Sequence, residues 1–226
     1  QPRMLDFEYM RWIAAVLDSH IQTHLKPERL RITHLGGGAC SLARYCADVY
    51  PNSRNTVVEL DAKLAEYVRD WFDIPKSPRV KIRVGDAGTV TRSFAPASRD
   101  VVIRDVFAVD KTPVELTGVD FVRTVDNSLG PGGLYILNCG DDRALNAARA
   151  EAAALLEVFE YVSIVADSAM LKGRRRGNII LAGSHVPLPQ LGSAEAASIS
   201  RVLMGGGVPA QYWDTEKVRV FARKGA

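Results

Sequence analysis

Three consecutive glycines, Gly36, Gly37 and Gly38, and three later carboxylates, Glu59, Asp86 and Asp105, have the types and spacing to hold a nucleoside. Glycine lets the backbone take positive φ and approach a ligand closely. Glu59, in "TVVELD", is the next acid at the end of an apolar run, at the distance where a carboxylate reaches two ribose hydroxyls. A dinucleotide would need a third small residue to seat its pyrophosphate on the helix N-terminus, and Ser41 stands there. A nucleoside without phosphates needs only a loop that lies flat beneath it. Other readings stay open at this point: a tight strand–helix turn with no ligand, a helix cap at Asp86, a turn former at Asp105.

The elements that must position these residues alternate. Apolar positions spaced by three and four predict an amphipathic helix over residues 5–25, with Pro27 just past its end. Strands are expected at 30–35, 56–60, 80–84, 101–104, 134–138, 161–166 and 178–183. Helices are expected at 41–50, 62–72, 119–129 and 145–159, with one more at 194–204. Strands alternating with helices of this length mean βαβ units on a largely parallel sheet, helices covering both faces. The expected organisation is a single α/β domain over 1–226, with an N-terminal helical segment at 1–28, a nucleoside-binding core at 29–190 and a C-terminal extension at 191–226. In that order Gly36–Gly38, Glu59, Asp86 and Asp105 all fall at carboxyl ends of strands, where open parallel sheets bind ligands.

Composition narrows the function classes. Apolar content of 47%, charged content of 24% and a net charge of +3 are ordinary for a soluble domain and do not favour a nucleic-acid partner. The basic run Lys172, Arg174, Arg175 and Arg176 reads as a solvated loop or an anion contact. The three cysteines, Cys40, Cys46 and Cys139, form no CxxC pair, which suits a reducing cytoplasm better than a disulfide framework. His20 and His24 share a helical face but have no third ligand nearby in sequence, so no metal is expected. No apolar stretch is long enough for a membrane span, and no signal peptide is expected. The chain opens at Gln1 rather than Met, so residues upstream are expected.

The stretch "HLGGGACSLARY…VVELDAKLAEYVRDWF…VRVGDAGTV…DVVIRDVFAVDKTPVELTGVDFVRTVDNSLGPGGLYILN", with the opening "DFEYMRWIAAVL", resembles spermidine synthase and its spermidine-synthase-like relatives over about residues 5–185. The resemblance implies the class I S-adenosylmethionine-dependent methyltransferase-like fold, a Rossmann-like sheet of seven strands, parallel except for the last. It implies S-adenosylmethionine or its decarboxylated form as co-substrate, held by Gly36, Gly37, Gly38, Glu59, Leu60, Asp86, Ala87 and Asp105. Glu59 would take the ribose hydroxyls and Asp86 the adenine amine. Asp105 would be the catalytic base for an attacking amine; at the small-molecule amine substrate, Tyr9 and Tyr135 read either as hydroxyl partners of Asp105 or as core or rim aromatics, and Asp110 is a substrate-binding candidate that lies close to the family's second acid without aligning with it. A homodimer and aminopropyl transfer to a polyamine such as putrescine follow from the same resemblance.

The chain departs from that family at two acids. Ala39 stands where the family has the aspartate that holds the cofactor's amino group, and Ala108 stands where it has a second acid after the first. The family's N-terminal β-domain is not among these 226 residues. A methyltransferase acting on a small substrate and a noncatalytic nucleoside-binding homologue are therefore the alternatives.

Overall fold

In the computed structural model, which describes residues 1–109 and 111–223, the first helix, α1 (Glu8–His24), lies across one face of a single sheet. It buries Trp12, Ile13, Val16, Leu17 and Ile21, the residues whose spacing predicts it. The chain then runs β1 (Arg31–Leu35), α2 (Ser41–Val49), β2 (Arg54–Glu59), α3 (Ala62–Trp71) and β3 (Val80–Val84). It continues with α4 (Ala87–Arg92), β4 (Arg99–Arg104), α5 (Gly118–Ser128), β5 (Leu129–Asp141) and α6 (Asn146–Val158). The last elements are β6 (Tyr161–Asp167), α7 (Ser168–Leu171), β7 (Gly177–Ser184), α8 (Ala194–Met204), β8 (Ala210–Trp213) and α9 (Thr215–Arg223).

The sheet order is β3-β2-β1-β4-β5-β7-β6-β8. The expected seven strands, antiparallel only at the last, need correction: among the described residues there are eight, and both β7 and β8 run against their neighbours. The eighth strand comes from the C-terminal residues. Its four residues pair with β6, and α9 then packs on α6 and β6. The five strands β3, β2, β1, β4 and β5 are mutually parallel. Between β1 and β4 the strand order reverses, and a crevice opens beyond the carboxyl ends of those two strands. Leu35 pairs with Arg104 at that point, so the glycines that follow one strand and Asp105 that follows the other are neighbours.

Burial explains the strand compositions. Val101, Val102 and Ile103 in β4, and Leu134 through Leu137 in β5, are buried on both faces, as central parallel strands must be. The edge strand β3 is different: Lys81 and Arg83 are exposed on it. Among the basic run after α7, Arg175 pairs with Asp167, which also caps α7. The reading of that run as merely solvated is thus incomplete.

Two buried histidines set an acid limit on stability. His20 Nε2 donates to the Gly132 carbonyl at 2.8 Å, and His34 Nε2 donates to Asn55 Oδ1 at 3.0 Å. Burial lowers both imidazoles to about 4. The unfolded chain therefore binds protons between the ordinary value of 6.5 and about 4 that the folded chain does not. Stability falls as pH drops through that window. Denaturant midpoints at pH 7 and pH 5 check this. The midpoint is expected to be lower at pH 5, and replacing His34 by Gln reduces the difference; an unchanged pH dependence refutes the assignment.

Candidate active site

At the end of β1 the loop turns sharply. Gly36 has φ +91°, donates its amide to the Val58 carbonyl at 2.9 Å, and lies so close to the next strand that a Cβ would collide with the Asp105 carbonyl oxygen. Gly37 is hemmed in by Val57 and Glu59, a Cβ there standing 3.0 Å from each. Gly36 and Gly37 thus answer to packing of the backbone against β4 and β2, whereas at Gly38 nothing lies within 4 Å of a Cβ and only its positive φ favours glycine.

Glu59, the last residue of β2, reaches across to this loop. Its Oε2 accepts from the amides of Gly37 at 3.0 Å and Gly38 at 3.1 Å, and its Oε1 accepts from the Asp61 amide at 2.9 Å. Asp61 in turn caps α3 through Lys63 and Leu64. One carboxylate therefore shapes the loop and faces the cleft. Replacing Glu59 by Ala removes both functions. Methylthioadenosine affinity is expected to drop by about 1.5–3 kcal/mol, the worth of hydrogen bonds to a charged group; titration calorimetry giving an unchanged dissociation constant removes Glu59 from the site.

The cleft between the loop, β2, β4 and the start of α1 has a volume of about 640 Å³. Every expected cofactor residue lines it: Gly36, Gly37, Gly38, Glu59, Leu60, Asp86, Ala87 and Asp105. Leu60 is exposed on the rim. Asp86 follows β3 and does what the plainer reading foresaw, capping α4 by accepting from the Thr89 amide at 2.7 Å. Bonds from the Thr89 hydroxyl and then from its amide hold the Asp86 carboxyl below the usual range. Only Oδ1 takes part, so capping and lining the cleft are compatible.

Asp105 follows β4. Its Oδ2 accepts from the Tyr9 hydroxyl at 3.0 Å and its Oδ1 from Asn138 Nδ2 at 2.9 Å. Burial raises its carboxyl above the ordinary range, while the two bonds and the charge of Arg104 pull the other way. The Tyr9 phenol is raised by burial and by the Asp105 charge, so it stays a donor. Tyr9 comes from α1, 96 residues away, and brings Phe7 and Met10 to the same wall. Asp110 lies outside the described residues. Tyr135 is fully buried on the same face of the sheet as Arg104 and does not line the cleft.

Sequence reasoning missed Asn138, which sits at an expected strand end but becomes a partner of Asp105 only through the pairing of β4 with β5. It also missed Glu115, on the turn after Pro113, which lines the cleft. A second chamber of about 1080 Å³ adjoins the cleft and shares Tyr9 and Phe107 with it. Among the described residues no group of three or more His, Cys, Asp or Glu is placed to hold a metal. No helix among them is long and apolar enough to cross a membrane.

No protein-family model matches the chain. A probable spermidine synthase from Corynebacterium glutamicum ATCC 13032 superposes with a TM-score of 0.96 at 59% identity, over 98% of this chain and 80% of that one. The chain belongs to the spermidine-synthase-like family. A second solved neighbour of this spermidine-synthase-like protein is human methyltransferase-like protein 13 in complex with SAH, with a TM-score of 0.69 and 25% identity over 87% of this chain and 90% of that one. By sequence the family member is 33% identical over 128 residues to the mouse eEF1A lysine and N-terminal methyltransferase, covering 52% of this chain and 18% of that protein. It is 27% identical over 140 residues to the polyamine aminopropyltransferase of Vibrio vulnificus (strain CMCP6), covering 61% and 45%. The spermidine-synthase-like chain thus spans less than half the length of these two curated relatives.

Proposed function

We propose that the protein is an aminopropyltransferase, moving an aminopropyl group from decarboxylated S-adenosylmethionine to a polyamine such as putrescine. The observation that carries this reading is the charge of the cleft. Glu59, Asp61, Asp86, Asp105 and Glu115 line it, and no Lys or Arg does among the described residues. Glu59 already engages the Gly37 and Gly38 amides that could otherwise meet a carboxylate. A sulfonium whose side arm ends in an amine suits such a wall; one that ends in a carboxylate is repelled by it. The family resemblance points the same way.

The chemistry is a displacement at carbon. The acceptor nitrogen attacks the propyl carbon bonded to the sulfonium, the C–S bond breaks, and methylthioadenosine leaves with the electron pair. The attacking amine is mostly protonated at neutral pH. Asp105 holds it by one oxygen and takes its proton, while Tyr9 and Asn138 fix the carboxylate plane. Orientation in the cleft supplies much of the remaining acceleration.

A methyltransferase is the second reading, favoured by Ala39 and Ala108, which leave out two acids of the family pattern. Calorimetric titration with S-adenosylmethionine and its decarboxylated form separates the two. The decarboxylated form is expected to bind about tenfold more tightly or better; tighter binding of the intact form overturns the proposal. Spermidine formed from putrescine, followed by mass spectrometry, tests the transfer itself. The same reading includes a cytoplasmic homodimer; Cys40, Cys46 and Cys139, all free and buried, suit that compartment.

A further inference from the structure

At the opposite end of the strands from the cleft, a cavity of about 490 Å³ opens beside the starts of β1, β2 and β4. Its polar lining is Glu28, Arg29, Arg31, Asn52, Arg54 and Asp100. None of these residues lines the cleft or the second chamber. Three arginines thus converge at one place, far from the residues assigned to the nucleoside.

The sheet register forces two of them together. β1 and β2 run parallel, with Arg31 directly beside Arg54. Residues paired in this way project from the same face, on strands about 5 Å apart. Like charges so placed repel, and the pairing itself gives the fold nothing. The carboxylate of Asp100 is spent on Arg31: Oδ1 accepts from Nη2 at 2.7 Å, and Oδ2 accepts from Nε at 3.0 Å and from the Arg31 amide at 2.7 Å. Arg29 and Arg54 are exposed, and neither side chain has a hydrogen bond or ion pair among the described residues. Glu28, the other acid of the lining, is exposed and pairs with none of the three. A fourth arginine adds to the field. Arg99, which opens β4, stacks over the Phe94 ring at 4.1 Å. Burial, and then the charges of Arg31 and Arg83, lower its guanidinium from the ordinary value.

Arg31 is a fixed and partly used donor. A guanidinium has five N–H groups. Asp100 takes one from Nε and one from Nη2, and the Ala97 carbonyl takes one from Nη1 at 3.2 Å, so two remain. Arg29 and Arg54 keep all of theirs. The open groups are therefore donors with positive charge, around a concavity in the size range of small-molecule sites. Such a set matches the several oxygens of a tetrahedral phosphate, which guanidinium forks take two at a time. An extended polyanion fits less well, because Glu28 and Asp100 interrupt the basic surface.

We propose that this cavity binds a small phosphorylated anion, gripped by Arg29 and Arg54 and seated against Arg31. The inference does not depend on the reaction carried out in the cleft.

Phosphorus NMR titration of the full chain tests this, with inorganic diphosphate and glycerol phosphate as probes. An ionic strength of about 0.1 M screens attraction to charges farther than about 10 Å. At least one probe is expected to bind with a dissociation constant of about 1 mM or below. Arg29→Ala and Arg54→Ala are each expected to weaken it about tenfold, as for charge-assisted bonds. Both side chains are exposed, so both variants are expected to keep the thermal transition of the unmodified protein. Arg174→Ala, in the other basic run, is expected to change nothing. Tighter binding of diphosphate points to an inorganic occupant and tighter binding of glycerol phosphate to a phosphate ester; either supports the site. Failure of both probes to bind overturns the proposal. So does affinity that survives in the Arg29→Ala/Arg54→Ala double variant, or that falls equally in Arg174→Ala, since general surface charge then accounts for it.

Discussion

Asp105→Asn is expected to lower the turnover number by about two to four orders of magnitude while methylthioadenosine binds as before. Asparagine has the same shape and keeps one oxygen for the Tyr9 hydroxyl or the Asn138 amide, so the cleft survives. What disappears is the only function assigned to the carboxylate, holding an ammonium and accepting its proton. The pH profile gives a second readout. Burial raises the carboxyl of Asp105, so the rising limb of kcat/KM stands above the ordinary carboxylate range in the unmodified protein. In Asp105→Asn that limb is lost. Activity within tenfold of the unmodified protein, or an unchanged rising limb, shows that another group is the base.

Gly36→Ala is expected to unfold the site, and Gly38→Ala to be tolerated. Both positions have positive φ, +91° at Gly36 and +47° at Gly38, so each alanine meets backbone strain of about 1–2 kcal/mol. The difference lies in the surroundings. The new methyl at position 36 would enter the Asp105 carbonyl oxygen, which itself belongs to the β1–β4 junction; at position 38 nothing lies within 4 Å. The overlap at Gly36 is relieved only by parting β1 from β4, which also breaks the 2.8 Å bond from the Asp105 amide to Leu35. A loss of about 4 kcal/mol or more is expected, a drop of roughly 8 °C or more in Tm for a chain of this size. Differential scanning calorimetry of the two variants decides the matter: equal shifts mean that strain alone, and not packing against Asp105, explains the glycine.

Most residues that line the candidate cleft are legible in the sequence because they are local signals. The glycine run, and acids placed directly after β-branched strands, mark carboxyl ends of strands whatever the sheet order. Asn138 and Glu151 gave no such signal. Asn138 reads as the end of a buried strand, and its role depends on β5 lying beside β4; Glu151 reads as one more residue of an Ala-rich helix, and only the burial of Arg104 shows what it faces. Tyr9 could be named but not separated from Tyr135 by sequence, because the distinction is which helix or strand ends near Asp105 in space. In the fold, β8 was missed for a physical reason: four residues after three glycines are too short to show alternation, and they are a strand because β6 offers an open edge. The helix α4 has six residues that include a glycine and the β-branched Thr89, Val90 and Thr91, so its only legible mark was the Asp86 cap.

The hold of Glu59 on the Gly37 and Gly38 amides has a kinetic consequence. The loop is latched in its working shape by the chain itself, so a guest arriving at the cleft orders little that was loose, and association is limited by encounter more than by rearrangement. Hydroxyls that approach this carboxylate compete with two amides already there, and when they depart the amides are in place to take the oxygens back. On the aminopropyl-transfer proposal, the two amides are thus in place to restore the latch when the spent nucleoside leaves.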